Sequence, residues 1–414
     1  MTFRQIVSIA VIALFSISCG KSLTIEVANP VDVARHPEMV SVPYAQIEDG
    51  LALSYGEGFI IKDSKGEEIP YQITADDIVI FPVRMEAGSR KTFKISKGTP
   101  AAYQTKVCGR YEPLKDGDIA WENDLVGFRM YGHKLDVASG YDLFAKRGTD
   151  LPVLESFYLN ERYDSKAWER YYELEKTDPA AAFRFKMDTL SYHVDRGFGM
   201  DCYGVGPTLG AGVAALMEED QIIYPFCYDS YEIQDNGPLR FRIKLTYRAF
   251  DIGSDKDVVE TRIITLDQGS HLNRTEVSYS NLTAKKAIVA GIVLQDKEGR
   301  ETAATEKGYI SYPAPTINVD TTREVDNGTL FVGHSYPETL TKASTVYFSD
   351  EESASRGGTK GHIQAFSEYA PGDVFTYYWG FGWNYSDITS YDEWNRYLEI
   401  FTVQVRNPLI VTLK

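Results

Sequence analysis

The sequence predicts a mainly β protein of antiparallel sandwich type, and three observations carry that prediction. Between Leu23 and Gly98 apolar and polar residues alternate in short runs broken by Gly, Pro and Asp, the pattern of half-buried strands joined by turns. The same rhythm returns from Ile222 and continues almost to the end of the chain. No period of fixed length repeats, which argues against a propeller or a solenoid.

Residues 1–19 read as an export signal, with Arg4 as the positive start and an uncharged apolar run from Ile6 to Ser18 that is too short to cross a bilayer comfortably. The order Ser16-Ile17-Ser18-Cys19-Gly20 resembles a loose lipobox of Bacteroidetes lipoproteins, in which Cys19 is lipidated and becomes the first mature residue. Ser16 stands where leucine is usual, so ordinary signal-peptidase cleavage is the alternative. No acidic run follows Gly20. The expectation is an exported, periplasmic protein lipid-anchored to the outer membrane, touching membrane through that anchor only.

Residues 23–100 are expected to form a small N-terminal β-sandwich lobe, with a hairpin turn at Lys62-Asp63-Ser64-Lys65-Gly66 set by its composition. Residues 101–414 are expected to form a larger β domain carrying helical and loop insertions between 115 and 220. Within these, Trp121, Glu122, Asn123 and Asp124 precede a short strand, Val126 to Tyr131. Alternation puts Arg129 and Tyr131 on one face of that strand and Phe128 and Met130 on the other. A Trp beside a carboxylate and an amide is a sugar-contact set; the other reading is a helix-starting turn anchored by a buried Trp. Further on, Ser165 is positioned to cap a helix carrying Trp168, Tyr171 and Tyr172, ended by Asp178-Pro179.

The stretch from Tyr192 to Val213 packs six glycines with His193, Asp195, Arg196, Asp201 and Tyr203. It is too irregular for a strand or helix, and dense glycine marks positive-φ turns or close backbone approach. It is the leading candidate for a functional loop.

Leu239 to Phe250 is the clearest strand. Leu239, Phe241, Ile243, Leu245 and Tyr247 alternate with Arg240, Arg242, Lys244, Thr246 and Arg248, giving one apolar and one basic face. The basic face either meets a uronate or sulfate, or is paired across strands with residues such as Glu260 and Glu276. Near the end, Tyr377, Tyr378, Trp379, Trp383 and Tyr385 crowd around Gly380 and Gly382. They form either a stacking platform or part of the core.

A formal charge of −16 argues against nucleic acid as a partner, because phosphates need a basic one. Aromatics make up 13% of the chain, with 28 tyrosines, a composition suited to sugar rings. Apart from Cys19 the cysteines are Cys108, Cys202 and Cys227. A Cys202–Cys227 disulfide and buried thiols are both consistent with an exported chain, and their spacing matches no zinc site. Nucleotide-binding glycine motifs, HExxH and a nucleophile elbow are absent. No cofactor and no metal is indicated; calcium suits an acidic β protein, but no loop of EF-hand spacing exists. Of the histidines His36, His133, His193, His271, His334 and His362, His133 and His193 lie in aromatic, glycine-rich loops and are the acid/base candidates.

Four separated segments resemble one family. They are Asp118 to Asp124, Phe128 to Gly132, the loop from His193 to Gly212, and Gly237-Pro238-Leu239-Arg240. The family is the Bacteroidetes one filed as domain of unknown function 4861. The resemblance implies an exported protein of polysaccharide utilisation, often accompanying enzymes of uronic-acid glycans, and assigns no catalytic residue. The strand-rich second half also resembles the supersandwich of galactose mutarotase-like folds, a likeness of fold alone. The expected function is therefore a carbohydrate-active enzyme on an acidic, uronate-containing oligosaccharide or polysaccharide, a lyase or a glycoside hydrolase. A non-catalytic glycan-binding lipoprotein and an epimerase or mutarotase are the alternatives.

In the lyase form Arg129, Asn123 or Arg240 would hold the carboxylate while His193, His133 and Tyr203 handle protons. In the hydrolase form Glu122 and Asp201 would be the paired carboxylates. Trp121, Tyr131, Trp379 and Trp383 would line the sugar.

Overall fold

The computed structural model describes residues 21–414 apart from Asp136 and Ser139. The expected export signal and Cys19 lie outside the described residues. The chain is mainly β, built from antiparallel sheets packed face to face.

The N-terminal lobe pairs a five-stranded sheet with a three-stranded one. The first runs in the order Ile410–Leu413, Ser22–Ala28, Arg90–Lys97, Phe59–Lys62, Glu68–Ile69. The second runs Glu38–Pro43, Ile78–Val83, Gln72–Ile73. Ile25, Val27, Ile47, Phe59, Val79, Phe81 and Ile95 fill the space between them. The hairpin falls where its residues place it: Gly66 has φ +86°, and the Asp63 carboxylate accepts from the Lys65 and Glu67 amides at 2.9 Å. The lobe also takes its outermost strand from the far end of the chain, Leu413 lying opposite Ile25.

The rest of the chain is organised by a nine-stranded sheet. It contains Ser230–Asn236, Arg240–Thr246, Asp255–Asp267, Leu272–Ser280, Phe375–Trp383, Thr329–Ser335, Tyr309–Pro315 and Thr302–Ala304, with Phe250–Ile252 attached at one side. One continuous apolar core joins this sheet to two five-stranded sheets. The first of these holds Val107–Glu112, Asp118–Asn123, Gly127–Met130, Tyr141–Lys146 and Gly199–Met200. At the centre Trp379 stacks on Tyr141 at 4.0 Å and meets the edge of Trp121 at 6.4 Å.

Asp118–Asn123 is thus a strand and not the irregular or helix-starting segment read from the sequence. All six of its residues are buried. One face packs on the nine-stranded sheet; the other lies under a helical layer, so no apolar/polar alternation marks it. That layer comprises Val153–Tyr158, a π-helical turn Leu159–Tyr163, Ser165–Thr177, Pro179–Phe185 and a second π-helical turn Lys186–Leu190. Asp164, rather than Ser165, caps the third of these by accepting from the Ala167 amide. Asp178 caps the following helix, with Pro179 in its first turn.

Arg240–Thr246 has the expected two faces, Phe241, Ile243 and Leu245 being buried. Its cations are paired, though with other partners than expected. Arg240 grips Asp267 at 2.6 and 2.8 Å, and Arg242 reaches Asp76 of the N-terminal lobe at 2.7 Å. Glu260 is instead spent on buried Arg262, and Glu276 on Arg274. None of Cys108, Cys202 and Cys227 forms a disulfide, so the expected Cys202–Cys227 staple is absent.

Candidate functional site

Several sequence-stated candidates belong to the core. Trp121, Trp379 and Trp383 are buried, their indole N–H groups donating to Asn273, Thr275 and the Asn327 carbonyl at 2.8, 2.8 and 3.0 Å. No sugar can stack on them. Tyr203 is buried in the same core. Asn123 organises a turn: its amide donates to the Asp267 and Ser270 carbonyls, and its oxygen accepts from the Leu125 and Val126 amides. Arg240 is consumed by Asp267 at the other side of the molecule, between the nine-stranded sheet and the N-terminal lobe. Trp383→Ala is therefore expected to destabilise the fold by about 3–5 kcal/mol, measured by denaturant unfolding. A surface platform would instead leave stability unchanged and only weaken sugar binding.

Glu122 is also withdrawn from the expected carboxylate pair. It lies fully buried against Lys146 at 2.7 Å and accepts from the Leu154 amide at 3.1 Å. Asp201 binds elsewhere, to Arg129, so the two do not act together.

What the fold does assemble is a carboxylate cluster around Arg129, between the outer face of the Asp118–Lys146 sheet and the helical layer. Arg129 follows from the strand alternation, since its neighbour Phe128 points into the core. Its Nε donates to Asp142 at 2.9 Å, and Nη2 makes a second, very short bond to the same oxygen. Nη2 also reaches Asp201 at 3.1 Å, Nη1 donates to the Tyr192 hydroxyl at 2.7 Å, and Asp118 lies 3.9 Å from Nε. Arg129 is therefore no longer available to hold a substrate carboxylate. Three buried carboxylates share one guanidinium, so the group carries excess negative charge in a poorly solvated place.

Burial pushes Asp118 up to about 6, against the opposing pull of Arg129. Burial likewise pushes Asp142 well above the carboxylate range, with Asp201 adding to the rise. Asp118 Oδ1 accepts from the Gly132 amide at 2.9 Å, while its Oδ2 has no hydrogen-bond partner. Unpartnered buried polar atoms recur across this layer, at Tyr158, Glu161 and Arg162, an uncommon concentration for groups whose desolvation is costly.

The loop from Tyr192 divides into two parts. Gly210 and Gly212 serve packing. At Gly212, with φ +155°, an added Cβ would lie 2.7 Å from His334 Nε2 and 2.9 Å from Trp379 Cβ. The first half meets the cluster. His193 Nδ1 lies 2.9 Å from the Asp201 carbonyl and must donate to it, which leaves Nε2 as the basic nitrogen. No hydrogen bond engages Nε2 among the described residues, and the side chain is 31% exposed. His193 and Tyr192 rings are 4.7 Å apart.

Lys115 stands on the other side of Tyr192, its ammonium 5.9 Å from that ring and in no ion pair among the described residues. Burial, with the charges of Arg162 and Arg129, lowers its pKa. Tyr131 is half-buried beside Asp142.

His133 does not join this group. It is exposed, lies over Gly117, and faces the rings of Tyr111 and Tyr228. Sequence reading thus found Arg129, Tyr131, His193 and Asp201 but missed Lys115, Asp142 and Tyr192. Asp118 stood in a quoted segment without a role. Asp142 sits in a strand buried on both faces, where a charged residue is the available signal.

The Asp118 environment gives a pH-dependent expectation. Its folded pKa is raised from 3.8 to about 6, so between those values the folded state retains a proton that the unfolded state releases. Stability from this group is lost as pH rises through that window. Asp118→Asn should therefore gain stability relative to the parent between those pH values, by about 2–3 kcal/mol. Urea unfolding at both ends of the window tests this; a constant difference would show that Asp118 is not desolvated.

A family described as Domain of unknown function (DUF4861) matches residues 27–411. An uncharacterized protein P7 of Formosa agariphila is 24% identical over 432 aligned positions, covering 98% of each chain. Among solved structures, an alpha-mannosidase of Enterococcus faecalis V583 superposes with a TM-score of 0.47, at 8% identity and over 95% of this chain. A protein in glycosyl hydrolase family 38 from Enterococcus faecalis gives 0.45, at the same identity and coverage. This chain covers 46% and 47% of those structures, about half their length.

Proposed function

We propose, for a chain that belongs to the DUF4861 family, the role of an exported carbohydrate-active enzyme that cleaves uronate-containing oligosaccharides by β-elimination. One observation carries this reading: an unpaired ammonium, Lys115, and an oriented base, His193, flank Tyr192 directly over the Arg129 carboxylate cluster. Lys115 would receive the uronate carboxylate and so acidify the adjacent C–H bond. His193 Nε2 would take that proton as the carbon–carbon double bond forms. The β carbon–oxygen bond breaks, and the leaving oxygen takes a proton from Asp118, which burial keeps partly protonated near neutrality.

Elimination is favoured over hydrolysis because the carboxylate pair expected for hydrolysis, Glu122 with Asp201, is split between two different cations. Binding without catalysis loses its platform with the burial of Trp379 and Trp383.

The test is a product screen on uronate oligosaccharides. An ultraviolet-absorbing unsaturated uronate supports elimination. New reducing ends without that absorbance would replace it with hydrolysis, an altered anomer or epimer with an isomerase, and saturable binding without product with a glycan-binding role. The same reading has the chain anchored to the outer membrane, facing the periplasm, through a lipid on Cys19. A Cys19→Ala variant still recovered with membranes would overturn that anchor.

A further inference from the structure

A second cavity, of about 460 Å³, opens where the N-terminal lobe meets the nine-stranded sheet and the C-terminal helix Tyr391–Arg406. Its charges do not balance locally. Arg84, from the lobe, and Arg396, from the helix, both line it and make no ion pair or hydrogen bond among the described residues. The two nearby carboxylates are already occupied. Glu393 accepts from the Thr389 amide and hydroxyl at 2.9 and 3.0 Å. Asp387 lies 3.0 Å from His271 Nε2.

His271 adds positive charge. Its Nδ1 lies 2.9 Å from the Phe381 carbonyl and its Nε2 faces the Asp387 carboxylate. Both ring nitrogens face acceptors, so both must carry protons and the ring is an imidazolium. In a chain of formal charge −16, two unpaired guanidinium forks beside an imidazolium form an electropositive site. Guanidinium geometry matches oxyanions through paired N–H donors.

The remaining wall is apolar and flat. His36 stacks on Tyr397 at 4.1 Å, and burial lowers its pKa to about 4, so at neutral pH it is an uncharged aromatic ring. Ile388 and Ile400 extend the apolar surface. An anionic fork beside a flat apolar wall suits a ring that has a hydrophobic face and carries one oxyanion.

We infer that this junction cavity is a binding site for an oxyanion-bearing sugar ring, separate from the Arg129 site, with Arg84 and Arg396 holding the anion. The experiment is calorimetric titration of the mature chain carrying Lys115→Gln, which removes the cation of the other site. Glucuronate, glucose and inorganic sulfate are the probes. Saturable glucuronate binding is expected, with at least a tenfold loss in Arg84→Gln/Arg396→Gln and no binding of glucose. Ile388→Trp, which fills the cavity, should abolish binding while the far-ultraviolet circular dichroism stays unchanged. Equal binding of sulfate and glucuronate would reduce the site to a free-anion site and overturn the sugar assignment. Glucuronate binding unaffected by the arginine pair, or no binding at all, would overturn the site itself. Neither result bears on product formation by the Lys115 and His193 site.

Discussion

Replacing Arg129 by methionine is expected to destabilise the protein by about 3–5 kcal/mol at neutral pH, the range for removing one partner of a buried ionic group. The side chain is only 6% exposed and is the shared cation of Asp142, Asp201 and Asp118. Methionine fills a similar volume, so the loss would be electrostatic rather than a cavity. Three carboxylates would then face one another without compensation, and two of them already resist ionisation because of burial. The deficit should shrink as pH falls, because protonation removes the repulsion that Arg129 had offset. Urea unfolding at neutral and mildly acidic pH measures both effects. A loss below about 1 kcal/mol, the range of an exposed pair, would show that water reaches the cluster.

His193→Ala is expected to lower kcat for the unsaturated product by about 10²–10⁴-fold, the range for a positioned acid or base. Its ring is about one-third exposed (31%) and contributes a single hydrogen bond, to the Asp201 carbonyl. Little stability should therefore be lost, and thermal unfolding close to the parent separates this effect from misfolding. KM should move far less than kcat, because the carboxylate is assigned to Lys115. Undiminished kcat would remove His193 from the chemistry and return the base role to another group.

Part of this site was legible in the chain. The alternation across Phe128 to Tyr131 placed Arg129 opposite the core, and glycine density singled out the loop that brings Tyr192, His193 and Asp201 to it. The same signals misled at Trp121, Trp379 and Trp383. Aromatics near glycines read equally well as platform or core, and the glycines at 380 and 382 in fact allow close packing: a Cβ on Gly380 would lie 2.0 Å from the His271 carbonyl oxygen. Glu122 and Arg240 looked available because their partners, Lys146 and Asp267, are 24 and 27 residues away.

Local pattern alone therefore determined the strand-rich class, the hairpin at Asp63, the two-faced strand at Arg240, and the functional interest of the Tyr192 loop. These depend on backbone propensity and on which face of one element is apolar. Which charges remain free is a different kind of fact. It depends on partners brought together by sheet register and by a helical layer covering a strand on its second face. Only the tertiary structure decided that Arg129 is consumed, that Lys115 and His193 are not, and that Asp118 and Asp142 are desolvated, because ion pairing and burial are properties of the packed chain.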